Sequence, residues 1–480
     1  MEKSYSQIFK FLNRILFLLF LICFYAPFGF GEKISMTAPS KETYPPFYAG
    51  VWTGADPVKW GYLPGTSSES GIQDICADLH KNGFNAVWVS GFDGKYADVP
   101  LMQTWLDASK DHGLKTVLQG NGGNYAIQKD VVEPDMLQHL ETEVIPSWRT
   151  AAKTVGEHPA LLAYVPVEEI TDDIENGDTS TLKALAKLGN SVEEVDPHHP
   201  VITVHIPSWF AIARAEVELR GKKTGVLVTS LYPFINISDW SDPNIPWKTP
   251  EEATHGFLES AWRYSTLGRT TQIPTWIMAQ GFGSVIVRKK EGQRENHILP
   301  SPAQIRFQIW ASIITGAKGI FFFTYHSFPE LPDEIKERTT EWELDTGLYT
   351  LDGKATGTYQ ALAETIKRLN PYFDLIGRLQ PDSDMGEVAH LLISRVFYDP
   401  KTQNRYVIFL NRNLAASQML AHETKTPFGI FQADTLVLYA GEGSIFKLDG
   451  NSIRDAVYTP PTYASDSKPV ARPYTGPEFD

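Results

Sequence analysis

The sequence predicts an α/β fold, a (β/α)8 TIM barrel followed by a small antiparallel β-domain. Three observations carry this expectation. Between residues 47 and about 375, eight strand-like apolar segments alternate with helical patterns. One of those segments ends abruptly in two adjacent carboxylates, Glu168 and Glu169. After residue 380 the helical period disappears and short strands take over.

The strand-like segments are Phe47–Trp52, Ala86–Val89, Thr116–Gln119, Leu161–Val167, Val201–His205, Gly225–Leu231, Thr275–Ala279 and Gly319–Tyr325. Helical patterns lie between them at Gly71–Asn82, Pro100–His112, Asp135–Val155, Thr179–Val195, Trp209–Leu219, Ala253–Leu267 and Pro302–Thr315, and Gly357–Leu369 would close the ring. Strands separated by helices imply parallel βαβ units, and eight units in roughly 330 residues fit a barrel with insertions. A doubly wound sheet is the alternative, but no strand is followed by a Gly-x-Gly-x-x-Gly turn opening a helix. Beyond the barrel (residues 32–378), Ala389–Tyr398 and Asn404–Leu410 flank a turn at Asp399–Gln403 and read as a hairpin; Ala433–Tyr439 and Gly443–Leu448 are two further strands. This places a β-domain at residues 379–460 and a flexible tail, poor in apolar residues, at 461–480.

Residues 1–31 read as an export signal. Lys3, Lys10 and Arg14 form a basic start, Ile15–Tyr25 an apolar stretch short for a membrane span, and Gly29 and Gly31 suit a cleavage site before Glu32. The expected localisation is secreted or periplasmic, with an uncleaved anchor as the alternative. Signal removal takes Cys23 and leaves only Cys76, in an amphipathic helical pattern that reads as core, so no internal disulfide is expected. The net charge of −14 argues against nucleic-acid partners. No His and Cys cluster has zinc spacing, and neither metal nor cofactor is expected. The acidic run Asp172, Asp173, Glu175, Asp178 lacks EF-hand spacing, and Asn236-Ile-Ser238 matches a glycosylation sequon that is common by chance.

In a (β/α)8 barrel the active-site residues come from the C-terminal strand ends. Here those ends offer Trp52 and Asp56, then Ser90, Phe92 and Asp93, then Gln119, Asn121 and Asn124, then Glu168 and Glu169, then His205, Tyr232, Gln280, and Tyr325 with His326. Such a mouth, polar and rimmed by aromatic rings without an Arg or Lys cluster, suits an uncharged polyhydroxylated ligand. Burying an ionised carboxylate is costly, so a Glu ending a buried strand points to a cleft. Glycoside hydrolysis needs a Glu there as proton donor to the leaving oxygen. The other reading of the pair is two solvated acids at a helix N-terminus. His205 reads equally as a catalytic or sugar-binding imidazole or as a hydrogen-bonded rim histidine. Tyr232 and Tyr325 read as sugar contacts or as rim-core aromatics.

On these residues the chain resembles the large clan of retaining (β/α)8 glycosidases. The likeness is to secreted members with an acidic pair on strand 4, and it rests on Glu168-Glu169-Ile170, Tyr232-Pro233, Trp276–Gly283, Pro302–Arg306 and Gly316–Gly319, spanning roughly residues 47–370. Arg306 and Lys318 in those motifs belong to helix and strand packing rather than to chemistry. The resemblance implies Glu169 as the acid and a nucleophilic Glu at the end of strand 7, about 5 Å away. This chain instead has Gln280, which cannot attack. Three explanations remain: a substrate 2-acetamido group attacks while one of the strand-4 pair orients it; a more distant carboxylate such as Asp56 or Asp93 activates water for inversion; or catalysis is lost and the barrel binds sugar. The leading expectation is an exported glycoside hydrolase with Glu169 and Glu168 as catalytic residues, and Trp52, Asp56, Asn121, His205, Tyr232, Gln280 and Tyr325 on the carbohydrate substrate. The alternatives are an inactive carbohydrate-binding barrel and, behind it, a structural envelope protein anchored by residues 15–31.

Overall fold

The structure, a computed structural model, describes residues 45–57, 67–92, 98–120, 140–166, 179–207, 210–221, 225–235, 249–288, 293–327 and 340–461. Its barrel region runs β1 (Tyr48–Gly54), α1 (Ser68–Lys81), β2 (Ala86–Phe92), α2 (Val99–Asp111), β3 (Lys115–Gly120), α3 (Ile145–Val155), β4 (Leu161–Val165), α4 (Ser180–Glu193), β5 (Thr203–His205), α5 (Phe210–Arg220), β6 (Leu227–Leu231), α6 (Pro250–Thr271) and β7 (Thr275–Gln280). There follow β8 (Gly283–Arg288), β9 (Gln293–His297), α7 (Pro302–Thr315), β10 (Gly319–Phe323), β11 (Thr340–Thr346) and α8 (Gly357–Leu369).

Eight strands form one parallel sheet in the order β4-β3-β2-β1-β10-β7-β6-β5. The sheet closes between β4 and β5: Tyr164 N donates to Pro200 O at 3.0 Å, and Ile202 N donates to Tyr164 O at 2.9 Å. All eight predicted strands lie in this barrel. Pleating sends alternate side chains inward. Trp88, Val117, Ala163, Val228, Trp276 and Phe321 fill the interior, while Val87, Leu118, Leu231 and Ile320 pack under the helices. Cys76 is buried in that outer layer beside Ser109.

Some details differ from expectation; β10, for one, ends at Phe323 rather than Tyr325. β4 ends at Val165 rather than Val167. Between strand 7 and α7, where no strand was expected, lies a β-hairpin: β8 and β9 pair antiparallel, and β11 joins β8 to make a three-stranded sheet beside the C-terminal end of the barrel. Glu295 lies in β9, and Glu291 falls outside the described residues. The β-branched run Val285-Ile286-Val287 favours a strand there.

α7 is buried almost all round, which a helix tolerates only when covered on every side. Ser301 and Gln304 close its N-terminus as a capping box, and Gly316, at φ 99°, ends it in the left-handed region. The C-terminal β-domain covers its outer side. There Leu392–Tyr398, Arg405–Asn411, Gly443–Asp449 and Ser452–Tyr458 pair in sequence, all antiparallel. Gly429–Phe431 joins Ser452–Tyr458 in parallel, the one departure from the expected antiparallel pattern. Arg306 reaches Ala440 O at 3.1 Å and Lys318 reaches Leu379 O, so both serve packing against this domain. No described helix is long and apolar enough to cross a membrane.

Candidate functional site: a ring-floored barrel mouth

The C-terminal end of the barrel is floored by aromatic rings. Trp52, ending the inward-facing row of β1, lies 4.7 Å from Phe323, the last residue of β10. The indole nitrogens of Trp52 and Trp88 both donate to Gln119 Oε1 on β3, so the Gln119 oxygen has two donors and anchors the Trp52 ring. Phe323 lies 6.1 Å from Tyr232, just past β6. Tyr232 packs edge-on to Phe282 at 5.0 Å and to His297, ending β9, at 6.3 Å. Trp52 and Phe282 are buried, while Tyr232, Phe323 and His297 are partly exposed and form the accessible part of the floor. Burial pushes the His297 imidazole down to about 4, so it is uncharged at neutral pH. The Phe323–Thr324 peptide is cis.

Asp56 follows β1 on the same rim. It is partly exposed, and its Oδ1 accepts a 2.8 Å hydrogen bond from Ser68 at the start of α1. Glu168, Glu169 and Asn121, together with Asp93, Asn124, Asn236 and the acidic run Asp172–Asp178, lie outside the described residues. The described chain leaves β4 at Pro166 on the mouth side, two residues before Glu168.

Three expected site residues are placed away from the open mouth. His205 faces the helix layer, because Val204 before it points into the barrel and the pleat alternates. Its Nε2 lies 2.8 Å from Glu216 Oε2 on α5, and both side chains are fully buried. Glu216 also accepts from Arg220 Nη1 at 2.8 Å and from Thr203 Oγ1 at 3.1 Å. Burial opposes ionisation of Glu216, but the His205 hydrogen bond and charge, with Arg220, outweigh it and hold the carboxyl down at about 2.

Tyr325 also points outward: β10 ends at Phe323, so the alternation that would have turned Tyr325 inward no longer holds, and its ring packs in the outer layer. Its hydroxyl donates to Asp78 Oδ2 on α1 at 2.7 Å, and Tyr349 at 3.1 Å and Tyr359 donate to the same oxygen. Burial, then the neighbouring Tyr359 and Asp78, push the Tyr325 phenol well above its usual value. The adjacent His326 is buried too, and its imidazole is pushed down to about 3.

Gln280 is the third. Its carboxamide is completely buried and fully engaged with backbone. Oε1 accepts from Phe234 N at 2.8 Å, and Nε2 donates to Phe234 O (2.9 Å), Ile298 O (2.9 Å) and Phe282 O (3.2 Å).

The mouth therefore gathers Trp52, Asp56 and Tyr232 from the expected set. Phe323, Phe282 and His297 were not foreseen. The continuous apolar run Gly319-Ile-Phe-Phe-Phe323 carried a signal for the first; the others flank a hairpin in a segment where no strand was expected. Among the described residues no group of three His, Cys, Asp or Glu side chains is arranged to hold a metal.

No family model and no curated protein matches the chain. Solved structures similar to it include a β-glucuronidase from Ruminococcus gnavus at 12% identity, with 67% of this chain and 50% of that chain covered and a TM-score of 0.44. A GH5_18 protein from Bifidobacterium longum subsp. longum matches at 12% identity over 68% of this chain and 78% of that chain, with a TM-score of 0.46. The endo-β-1,4-mannanase from Thermotoga petrophila matches at 10% identity over 85% and 92%, with a TM-score of 0.45. The chain spans about half the length of the β-glucuronidase. The barrel assignment rests on the strand pairing described above rather than on these likenesses.

Proposed function

We propose that the chain is an exported glycoside hydrolase acting on an oligo- or polysaccharide, with Glu169 as general acid. The observation that carries this reading is the closed parallel barrel whose mouth is floored by the partly exposed rings of Tyr232, Phe323 and His297, with β4 giving way at Pro166, two residues before the acidic pair in the sequence. In the sequence Glu169 follows Pro166 by three residues. Sugar rings present C–H faces that pack on aromatic rings, and His297 in the floor carries no charge at neutral pH.

A retaining double displacement through strand 7 is not available, since the Gln280 side chain is neutral and occupied. The chemistry then runs by substrate assistance, with Glu168 orienting a 2-acetamido group, or by inversion, with Asp56 or Asp93 activating water some 6.5–9.5 Å from the acid. The engaged Gln280 also favours a second reading, a barrel that binds glycan without cleaving it. A panel of oligosaccharides and aryl glycosides, assayed for both hydrolysis and binding, separates the two. Hydrolysis of any member supports the enzyme; binding throughout without cleavage supports the second reading.

A further inference from the structure

We propose that Gln280 is a positioning residue, whose carboxamide sets the Tyr232 and His297 rings across the barrel mouth and which for that reason has to be an amide and not an acid. The inference rests on the sugar-binding reading of the mouth and goes beyond it in explaining what stands at the end of β7.

The contacts of Gln280 form a relay. Gln308 on α7 treats the Gln280 backbone as a neighbouring strand would: its Oε1 accepts from Gln280 N at 2.8 Å, and its Nε2 donates to Gln280 O at 2.9 Å. The Gln280 side chain does the same one step further, accepting from Phe234 N and donating to Phe234 O. Its Nε2 also donates to Ile298 O. Phe234 lies two residues after Tyr232, and Ile298 directly follows His297. Ile298 N donates to Phe234 O at 3.1 Å, and Ile235 bridges to His297. One buried amide thus ties together the two chain segments that carry the ring pair, 6.3 Å apart.

The requirement for an amide follows from the donor count. Three carbonyl oxygens face Nε2 and one N–H faces Oε1. An amide supplies donors and an acceptor at once, whereas a carboxylate only accepts. An ionised acid here would place negative charge against three carbonyls in a site closed to water, where an unmet polar group is costly. A protonated acid restores one donor. The end of β7 is therefore committed to holding the rim.

The test uses the full chain with Gln280→Glu and Gln280→Leu, each compared with the parent at every pH from 4 to 8. The measurements are the thermal midpoint and, on a neutral glycan that the parent uses, KM, kcat and Kd. At neutral pH both variants should show KM or Kd raised about tenfold, the order expected from losing one buried hydrogen-bond partner, with kcat held within about twofold of the parent. The introduced carboxyl has its folded-state pKa raised, so its stabilising form is present at low pH and lost as pH rises. Gln280→Glu should accordingly approach the parent in midpoint and affinity as pH falls, and Gln280→Leu should not. If Gln280→Glu fails to fold at neutral pH, folding restored at low pH for that variant alone supports the proposal equally. Parent-like affinity and midpoint at all pH values would overturn it, as would a gain of turnover by Gln280→Glu at neutral pH, which would make this position a nucleophile site. A parent that cleaves nothing sinks the hydrolase reading instead; the pH-dependent midpoint and Kd still decide the role of Gln280.

Discussion

The indole nitrogen of Trp310, on the barrel helix α7, donates to Glu442 Oε1 of the C-terminal β-domain at 2.9 Å, and both side chains are fully buried. Close by, the buried Arg395 donates from Nη1 to the carbonyls of Ile314 and Thr315, at 3.1 and 2.9 Å, and so satisfies the end of the same helix. The β-domain is thus built into the barrel wall. Arg395→Met should destabilise the protein by about 3 kcal/mol, the upper range for hydrogen bonds to a charged group. Urea denaturation should show one cooperative transition for the parent chain. Two separate transitions would show that the β-domain is an independent module.

The buried set His205, Glu216 and Arg220 predicts a response to acid. Glu216 is held at about 2, below the usual glutamate value of about 4.3. Its stabilisation is therefore complete above the unfolded-state value and is lost as pH falls through the folded-state one. Stability should drop between about pH 4.3 and pH 2. Glu216→Leu should cost about 3–5 kcal/mol at neutral pH, because it leaves Arg220 without its closest carboxylate. Denaturant midpoints across pH 2–7 measure both; a variant as stable as the parent at neutral pH contradicts the account.

Three phenols on one Asp78 oxygen predict the opposite response in alkali. The Tyr325 phenol is raised well above its usual value and stays protonated in the folded protein, while unfolded tyrosines ionise near pH 10. Stability from this cluster is present below about pH 10 and declines above it. Spectrophotometric titration near 295 nm should find Tyr325, Tyr349 and Tyr359 silent until the chain unfolds. Ionisation of all tyrosines together near pH 10 in folded protein would refute the cluster.

Much of this architecture was legible in the sequence, and the reasons are local. The eight strands could be read because each is a short apolar run between helices with clear caps, such as Ser301 to Gly316 around α7. Side-chain direction was less legible. His205 and Tyr325 follow apolar runs just as Trp52 does, but one residue of register puts His205 on the other face of β5, and Tyr325 lies past the end of β10, where strand alternation no longer sets its direction. Only the pairing of β5 and the end of β10 at Phe323 decide it. The saturation of Gln280 depends on Phe234 and Ile298, 46 and 18 residues away, a tertiary relation that no local pattern carries.

The basic, apolar and small-residue order of residues 1–31 predicts export and cleavage. N-terminal sequencing of the mature protein should begin near Glu32. Met1 retained in a membrane fraction would replace this with an anchored protein.

In the proposed mechanism Glu169 donates the proton to the departing glycosidic oxygen. The most direct measurement is turnover of Glu169→Gln on two substrates that differ only in leaving group, a natural glycan and an activated aryl glycoside of the same sugar. General acid catalysis contributes about 10²–10⁴-fold. Glu169→Gln should therefore lose turnover by that order on the glycan and far less on the aryl glycoside, which needs no protonation to depart. Equal turnover of Glu169→Gln and the parent on the natural glycan would contradict the assignment.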